Sequence, residues 1–152
     1  METQGSDRGI DNLFRWYLVA WLQVTVHRCQ LRSWGLQKLD SRWEDLQQMI
    51  QSNLQELGFE LFNAGNRPEF ALEECYPKIG PTVEEVLGLE RGLLRQGRDI
   101  CEAQLASGEL SLADTLVVQN HFQSISKQLQ IIVTQYELHR KLGQTLYLAG
   151  VI

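Results

Sequence analysis

Histidine and carboxylate side chains are the groups through which this chain could bind a metal or transfer a proton. His27 lies on the apolar stripe of a first helical segment, and Glu90 lies on the apolar face of a later one. We interpret them as a hydrogen-bonded buried pair or as residues at the rim of the core, the remnant of a metal site being the alternative. His121 and His139 are too isolated to complete a ligand set, so we expect them to be surface or internally satisfied residues.

The cysteines and the net charge disfavour several kinds of site and partner. Cys29, Cys75 and Cys101 are far apart and include no Cys-x-x-Cys pair, so neither a zinc ribbon nor a redox dithiol is expected. Cysteines of this kind suit a reduced setting, and we predict a cytoplasmic protein. A net charge of -5 disfavours nucleic acid or an anionic membrane as a partner, because both attract basic surfaces. No apolar run approaches the ~20 residues of a membrane span.

Four long segments show the helical period, and no stretch alternates as a strand does. They are predicted over about 7–32, about 37–63, from 83 to a break at 107–109, and from about 111 to 143, with the apolar tail 145–152 as a short fifth helix. The predicted core stripes are Leu13, Tyr17, Ala20, Val24, His27 and Leu31; Leu39, Trp43, Leu46, Ile50, Asn53, Leu57 and Leu61; Val83, Leu87, Glu90, Leu94, Gly97, Cys101 and Leu105; and Thr115, Val118, Phe122, Ile125, Leu129, Ile132, Tyr136 and His139.

The lengths of the connections predict the topology. The first and third connections are short, so each joins an antiparallel pair of helices. The second, at about 65–81, reaches roughly 53 Å when extended, whereas such a helix is roughly 40 Å long. It is therefore long enough to return along the bundle and leave the second and third helices parallel. The fold class is all-α: a single ferritin-like four-helix bundle over residues 1–152, with a long crossover between helices two and three.

Three connections of this bundle have distinctive sequences: Arg-Ser-Trp-Gly-Leu-Gln-Lys-Leu at 32–39, Ile-Gly-Pro-Thr-Val-Glu-Glu-Val-Leu at 79–87, and Lys-Leu-Gly-Gln-Thr-Leu-Tyr-Leu at 141–148. In their order and spacing they resemble the connections of bacterioferritin. The resemblance implies a hollow shell of twenty-four subunits that stores iron as a mineral. In that family each active subunit holds two irons between its helices, through one glutamate from each of helices one and three and a Glu-x-x-His pair from each of helices two and four.

The resemblance also locates the ligand positions in this chain. The six positions of the di-iron site are held by Tyr17, Ile50, Asn53, Leu94, Ile125 and Gln128. None of these is a carboxylate or an imidazole, so the resemblance implies no catalytic and no metal-ligating residue here. The family's haem-ligating methionine corresponds to Gln51. We expect the phenol and the two amides to hydrogen-bond to one another across the centre, because buried polar groups need partners.

These positions predict a structural role. The leading hypothesis is a bacterioferritin-like shell subunit that has no ferroxidase site and co-assembles with a homologous active subunit to store iron as a mineral. Haem would bind only at a mixed subunit contact, and Asp45 and Glu56 would help the mineral nucleate if they face the interior. Two alternatives stay open: an active ferroxidase with a displaced or misaligned metal site, and a ferritin-like adaptor that forms no shell.

Overall fold

The computed structural model describes residues 9–66, 68 and 77–142, and these residues form five α-helices and no strand. The helices are α1 (Gly9–Ser33), α2 (Gln37–Arg42), α3 (Glu44–Asn63), α4 (Val83–Ser107) and α5 (Leu112–Leu142). The predicted all-helical chain with four long segments is confirmed. Within these ranges no helix combines the length and the apolarity needed to cross a membrane. Cys75, Gly143 and the predicted tail helix lie outside the described residues.

The ends of the helices follow the signals in the sequence. After α1, Gly35 has a φ of 79°, which a residue with a Cβ rarely adopts, and the amide of Leu36 donates to the carbonyl of Leu31 at 3.0 Å. Before α4, the hydroxyl of Thr82 accepts a hydrogen bond from the amide of Glu85 at 3.2 Å. Both arrangements use backbone groups that a helix end would otherwise leave unpaired.

The second predicted segment forms two helices in the structure instead of one. It is divided at Trp43, whose φ of -87° and ψ of 0° separate the six-residue α2 from α3. The indole of Trp43 is almost fully buried and donates to Oε1 of Gln135 on α5 at 2.8 Å. Asp40 of α2 accepts from Nε of Arg28 at 2.8 Å and from Arg32 at 3.1 Å. These contacts hold α2 against the end of α1, so the chain bends before α3 begins.

Helix α1 lies between α3 and α4 and runs antiparallel to both. On the α3 side, the ring of Phe14 meets that of Phe62 with centroids 6.4 Å apart. Further along α1, the hydroxyl of Thr25 accepts from Nε2 of Gln47 at 3.2 Å. As the residue number rises along α1, the number of its partner falls along α3.

The same reversal holds on the α4 side of α1. Nε1 of Trp16 donates to the carbonyl of Leu93 at 3.0 Å, and Nε2 of Gln30 donates to the carbonyl of Gly80 at 2.8 Å. A Cβ added to Gly97 would lie 2.4 Å from the Trp16 ring, so the indole occupies the space above that glycine. Helix α5 closes the bundle by packing on α4 and on α3.

The predicted core stripe is correct for the first three segments and wrong in part for the fourth. In the first three, all stripe residues are buried except Asn53 and Leu105, which are partly exposed. On α5, Thr115, Phe122 and Tyr136 are only partly buried, and His121 and Gln135 lie inside although they were not predicted there. The buried set on α5 is Val118, His121, Ile125, Gln128, Leu129, Ile132, Gln135 and His139.

Candidate functional site

Tyr17 lies at the centre of the bundle and links three helices. Its side chain has no exposed surface. The phenol oxygen lies 2.7 Å from Nδ1 of His121 on α5 and accepts a hydrogen bond from Nδ2 of Asn53 on α3 at 3.1 Å. Since the Asn53 amide occupies the phenol as an acceptor, the phenol proton points to His121. We call these three residues the central network.

Burial keeps the groups of the central network uncharged. It lowers the pKa of His121 to about 4, so the imidazole is neutral near pH 7 and its Nδ1 accepts the phenol proton. Burial also raises the pKa of Tyr17 far above its usual range, although the hydrogen bond from Asn53 opposes this. Cys101 is fully buried, and burial, with the nearby charge of Glu102, raises the pKa of its thiol to about 12. The centre therefore presents a phenol, an imidazole and a thiol, all neutral.

The structure gathers most of the ligand positions that the resemblance implies. Tyr17, Ile50, Leu94 and Ile125 have no exposed surface and belong to one hydrophobic cluster. The expected hydrogen bond between Tyr17 and Asn53 is confirmed. The expected hydrogen bond between Tyr17 and Gln128 is not found among the described residues. The Gln128 side chain is buried, but His121, two helical turns earlier on α5, lies beside the phenol instead.

The side chains at these positions do not fit a di-iron centre. Three of the six are aliphatic, two are neutral amides and one is a phenol held protonated by burial. Iron in such bundles is bound by carboxylates and imidazoles. Over residues 9–66, 68 and 77–142, no three His, Cys, Asp or Glu side chains form a group that could hold a metal ion. Gln51, which the resemblance aligns with the family's haem-ligating methionine, is exposed on α3.

A second buried network joins α1, α4 and the chain that precedes α4. Nδ1 of His27 lies 2.7 Å from Oε2 of Glu90, and neither side chain has exposed surface, which confirms the predicted buried pair. Burial raises the pKa of Glu90, and the hydrogen bond with His27 opposes the rise. The other carboxylate oxygen, Oε1, is buried with no hydrogen-bond partner in the described structure. A buried acid with one unpaired oxygen is a destabilising element.

Gln23 connects this pair to the backbone at Lys78. Its Oε1 accepts from the Lys78 amide at 2.8 Å, and its Nε2 donates to the Lys78 carbonyl at 2.6 Å. The same Nε2 lies 2.8 Å from Nε2 of His27. The side-chain amide thus pairs with both backbone groups of Lys78, as a residue of a neighbouring antiparallel strand would. We call Gln23, His27, Glu90 and the Lys78 backbone the link network.

A groove of about 640 Å³ follows the outer junction of α1 and α4. Trp16 and Leu93 line it, with Arg15, Gln96 and Lys78 among its polar residues. The volume is in the range of small-molecule sites. The edge of the Trp16 ring packs against the ring of Tyr17, with centroids 5.0 Å apart and planes at 68°. The Trp16 ring therefore lies between the groove and the ring of Tyr17 in the central network.

On α5 the buried polar residues His121 and Gln135 were not predicted from the sequence, and on α1 and α2 the same is true of Asp11, Gln23 and Asp40. With Gln128, His121 and Gln135 recur every seven residues along α5, and each lies inside the bundle. This heptad spacing was visible in the sequence and was outweighed by the apolar Phe122, Leu129 and Tyr136 one position further on.

No model of a known protein family matches the chain, and a search of curated proteins finds no significantly similar sequence.

Proposed function

We propose that the chain is a shell-forming subunit of a bacterioferritin-like iron store, without a di-iron centre of its own, that co-assembles with a homologous active subunit. The helix pairing is the observation that carries this proposal. Since α1 is antiparallel to both α3 and α4, those two helices point the same way. A parallel pair supports a crossover that returns along the bundle between them, which is the ferritin-like connection.

The interior supports a structural rather than a catalytic subunit. Ile50, Leu94 and Ile125 fill the ligand positions with apolar groups that pack in the core. Four buried carboxylates without a metal would repel one another strongly, so apolar groups at these positions suit a core that holds no iron. The subunit then contributes shell surface, and iron oxidation is the task of the partner.

Other parts of the proposal rest on exposed residues. Asp45 and Glu56 are exposed on α3, which fits acidic sites for a nucleating mineral. Haem in a mixed shell would depend on a methionine from the partner, since this chain offers Gln51. Cys29 and Cys101 form no disulfide, which is consistent with the proposed cytoplasmic location.

Assembly is tested by native mass spectrometry of the chain expressed alone and together with an active bacterioferritin subunit from the same source. We expect mixed particles of twenty-four subunits that contain both chains. A chain that remains monomeric in both preparations would favour the adaptor alternative. Particles that contain only this chain, although the active subunit is expressed with it, would contradict co-assembly.

Catalysis is tested by stopped-flow oxidation of Fe(II) by the isolated chain, with the active subunit as the positive control. We expect the active subunit to give the rapid di-ferric absorbance and the isolated chain to give none. A rapid di-ferric signal from the isolated chain would show that a displaced site performs the oxidation and would overturn the structural role.

A further inference from the structure

The central network has the groups that one-electron oxidation of a phenol requires. A phenol that loses an electron becomes a strong acid, so the oxidation is easy only when a base is in place to take the proton. Nδ1 of His121 is 2.7 Å from the oxygen of Tyr17, and Asn53 donates to the same oxygen. The O–H of Tyr17 is therefore directed at the imidazole. His121 retains 8% of its surface exposed, so it can pass a proton on to water.

An electron path leads from Tyr17 to the surface. The ring of Trp16 is in edge contact with the ring of Tyr17, and the same indole lines the groove between α1 and α4. Its N–H donates to the carbonyl of Leu93, and its ring lies directly over Gly97, so its position is fixed by α4. Indole and phenol are the neutral side chains that give up an electron most readily. The proton acceptor is on α5, away from this groove.

We propose that Trp16, Tyr17 and His121 form a redox relay that moves an oxidising equivalent from the groove to the buried phenol. A radical oxidant of the hydroxyl or peroxyl class takes one electron from Trp16, becomes its anion and is protonated by water. The indole radical cation takes an electron from Tyr17, whose proton passes to Nδ1 of His121. The products are a neutral indole, a neutral tyrosyl radical and an imidazolium, which releases its proton to water. The net change is transfer of one hydrogen atom from Tyr17 to the oxidant.

The relay gives the chain a protective activity that does not depend on iron storage. Tyr17 has no exposed surface, so the radical is kept away from solvent and from other molecules. Ile50, Leu94 and Ile125 belong to the same core and offer no easily oxidised group, whereas the buried thiol of Cys101 near Tyr17 is a group that the radical can oxidise in turn.

The test uses the full-length chain without iron. Photogenerated tris(bipyridine)ruthenium(III), with persulfate as the electron acceptor, supplies the oxidant, and freeze-quenched samples are studied by electron paramagnetic resonance. We expect a tyrosyl radical in the wild type and its loss in Tyr17→Phe. Tyr136→Phe, the same change at a partly exposed ring, is the matched control and should retain the signal. Absence of a tyrosyl radical in the wild type, or its persistence in Tyr17→Phe, would overturn the relay.

A second variant leaves the central network untouched. The chain has four tyrosines, and replacing Tyr76, Tyr136 and Tyr147 by Phe keeps only Tyr17. This variant is expected to give the full tyrosyl signal, and loss of the signal would contradict the assignment even if Tyr17→Phe failed to fold.

Two further variants separate the proton and electron steps. His121→Gln removes the base and should lower the yield of tyrosyl radical by roughly 10²-fold, the effect of a positioned general base. Trp16→Phe should slow formation of the radical and leave its spectrum unchanged. An unchanged yield in His121→Gln, checked to be folded by circular dichroism, would show that the hydrogen bond is only structural.

Discussion

The central network and the link network are both buried, both centred on a histidine of this small bundle, and opposite in chemistry. In the central network, a neutral imidazole accepts a hydrogen bond from the phenol of Tyr17, and the phenol oxygen accepts a second one from Asn53. In the link network, an imidazole faces a buried acid whose second oxygen has none. Each histidine has a partner at 2.7 Å, so the difference lies in the second hydrogen bond: Tyr17 receives one from Asn53, whereas Oε1 of Glu90 receives none and carries an energetic cost.

Removing the base of the link network is expected to give the largest loss of stability. His27→Leu leaves Glu90 buried without its partner, which should cost roughly 3–5 kcal/mol. The measurement is the urea midpoint followed by circular dichroism. The control is His27→Leu with Glu90→Leu, which removes the stranded acid and should recover much of the loss. Equal destabilisation of the single and double variants would show that the pair is not what His27 stabilises.

The central network should make the protein less stable in mild acid. Burial lowers the pKa of His121 from 6.5 to about 4, so between these values the unfolded chain binds a proton that the folded chain does not. Stability therefore falls as the pH is lowered from about 6.5 to about 4, by at most roughly 3 kcal/mol. In His121→Gln this part of the pH dependence should disappear. Parallel stability curves for the wild type and the variant would contradict it.

The link network should respond to acid in the opposite direction. The pKa of Glu90 is raised in the folded state, so the folded chain binds the proton more tightly than the unfolded chain. Stability is gained as the pH falls through that raised pKa and is lost again as the pH rises through it. Glu90→Gln should remove this contribution while leaving that of His121. Urea titrations across the acid range compare the two variants with the wild type.

The hydroxyl of Tyr17 is expected to stabilise the fold by a smaller amount. Tyr17→Phe leaves Nδ1 of His121 without its donor, which should cost roughly 1–3 kcal/mol. Tyr136→Phe, at a partly exposed ring, should change stability by less than roughly 0.5 kcal/mol. Thermal and urea unfolding measure both. Equal effects would mean that the central hydrogen bond adds no net stability.

The smallest expected effect is a local one at Lys78. Gln23→Met removes the side chain that accepts from the Lys78 amide, and a hydrogen bond of this kind contributes roughly 1 kcal/mol. The Lys78 amide should then exchange with deuterium several-fold faster, with little change elsewhere. Gln30→Met, which loses only a bond to the carbonyl of Gly80, is the control and should leave the Lys78 amide unchanged. Exchange that is equally fast in both variants would show that Gln23 is not the residue that holds this segment.

The helices and most of the core were predictable because their signals are local. Gly35 and Gly108, with φ of 79° and 70°, follow helix ends in a backbone conformation that glycine favours, and Thr82 begins α4 through its hydroxyl, which accepts from the amide of Glu85. The first three stripes follow the helical period. The break in the second segment and the inner face of α5 were not predictable in this way, because contacts between helices determine them. Trp43 interrupts a segment that is periodic throughout, because Asp40 is held to α1 by two arginines and the indole bonds to Gln135.

The candidate site was predicted in position and only partly in partners. The centre was placed correctly at Tyr17 and Asn53, and the His27–Glu90 pair was identified from two inward positions on different helices. The partner of the phenol was missed, because hydrophobicity favoured Phe122 over His121 for the inner face of α5. A polar residue gains an inward position only through a partner on another helix, and no pattern within α5 reports that partner.

The contact between Gly97 and the Trp16 ring has a consequence for how the sequence can change. A methyl group at position 97 would overlap the indole, so alanine there would force the Trp16 ring to shift. The two positions are therefore coupled: a smaller ring at 16 would remove the overlap, and a side chain at 97 would displace the ring. The glycine on α4 in this way sets the position of the indole on which the relay depends.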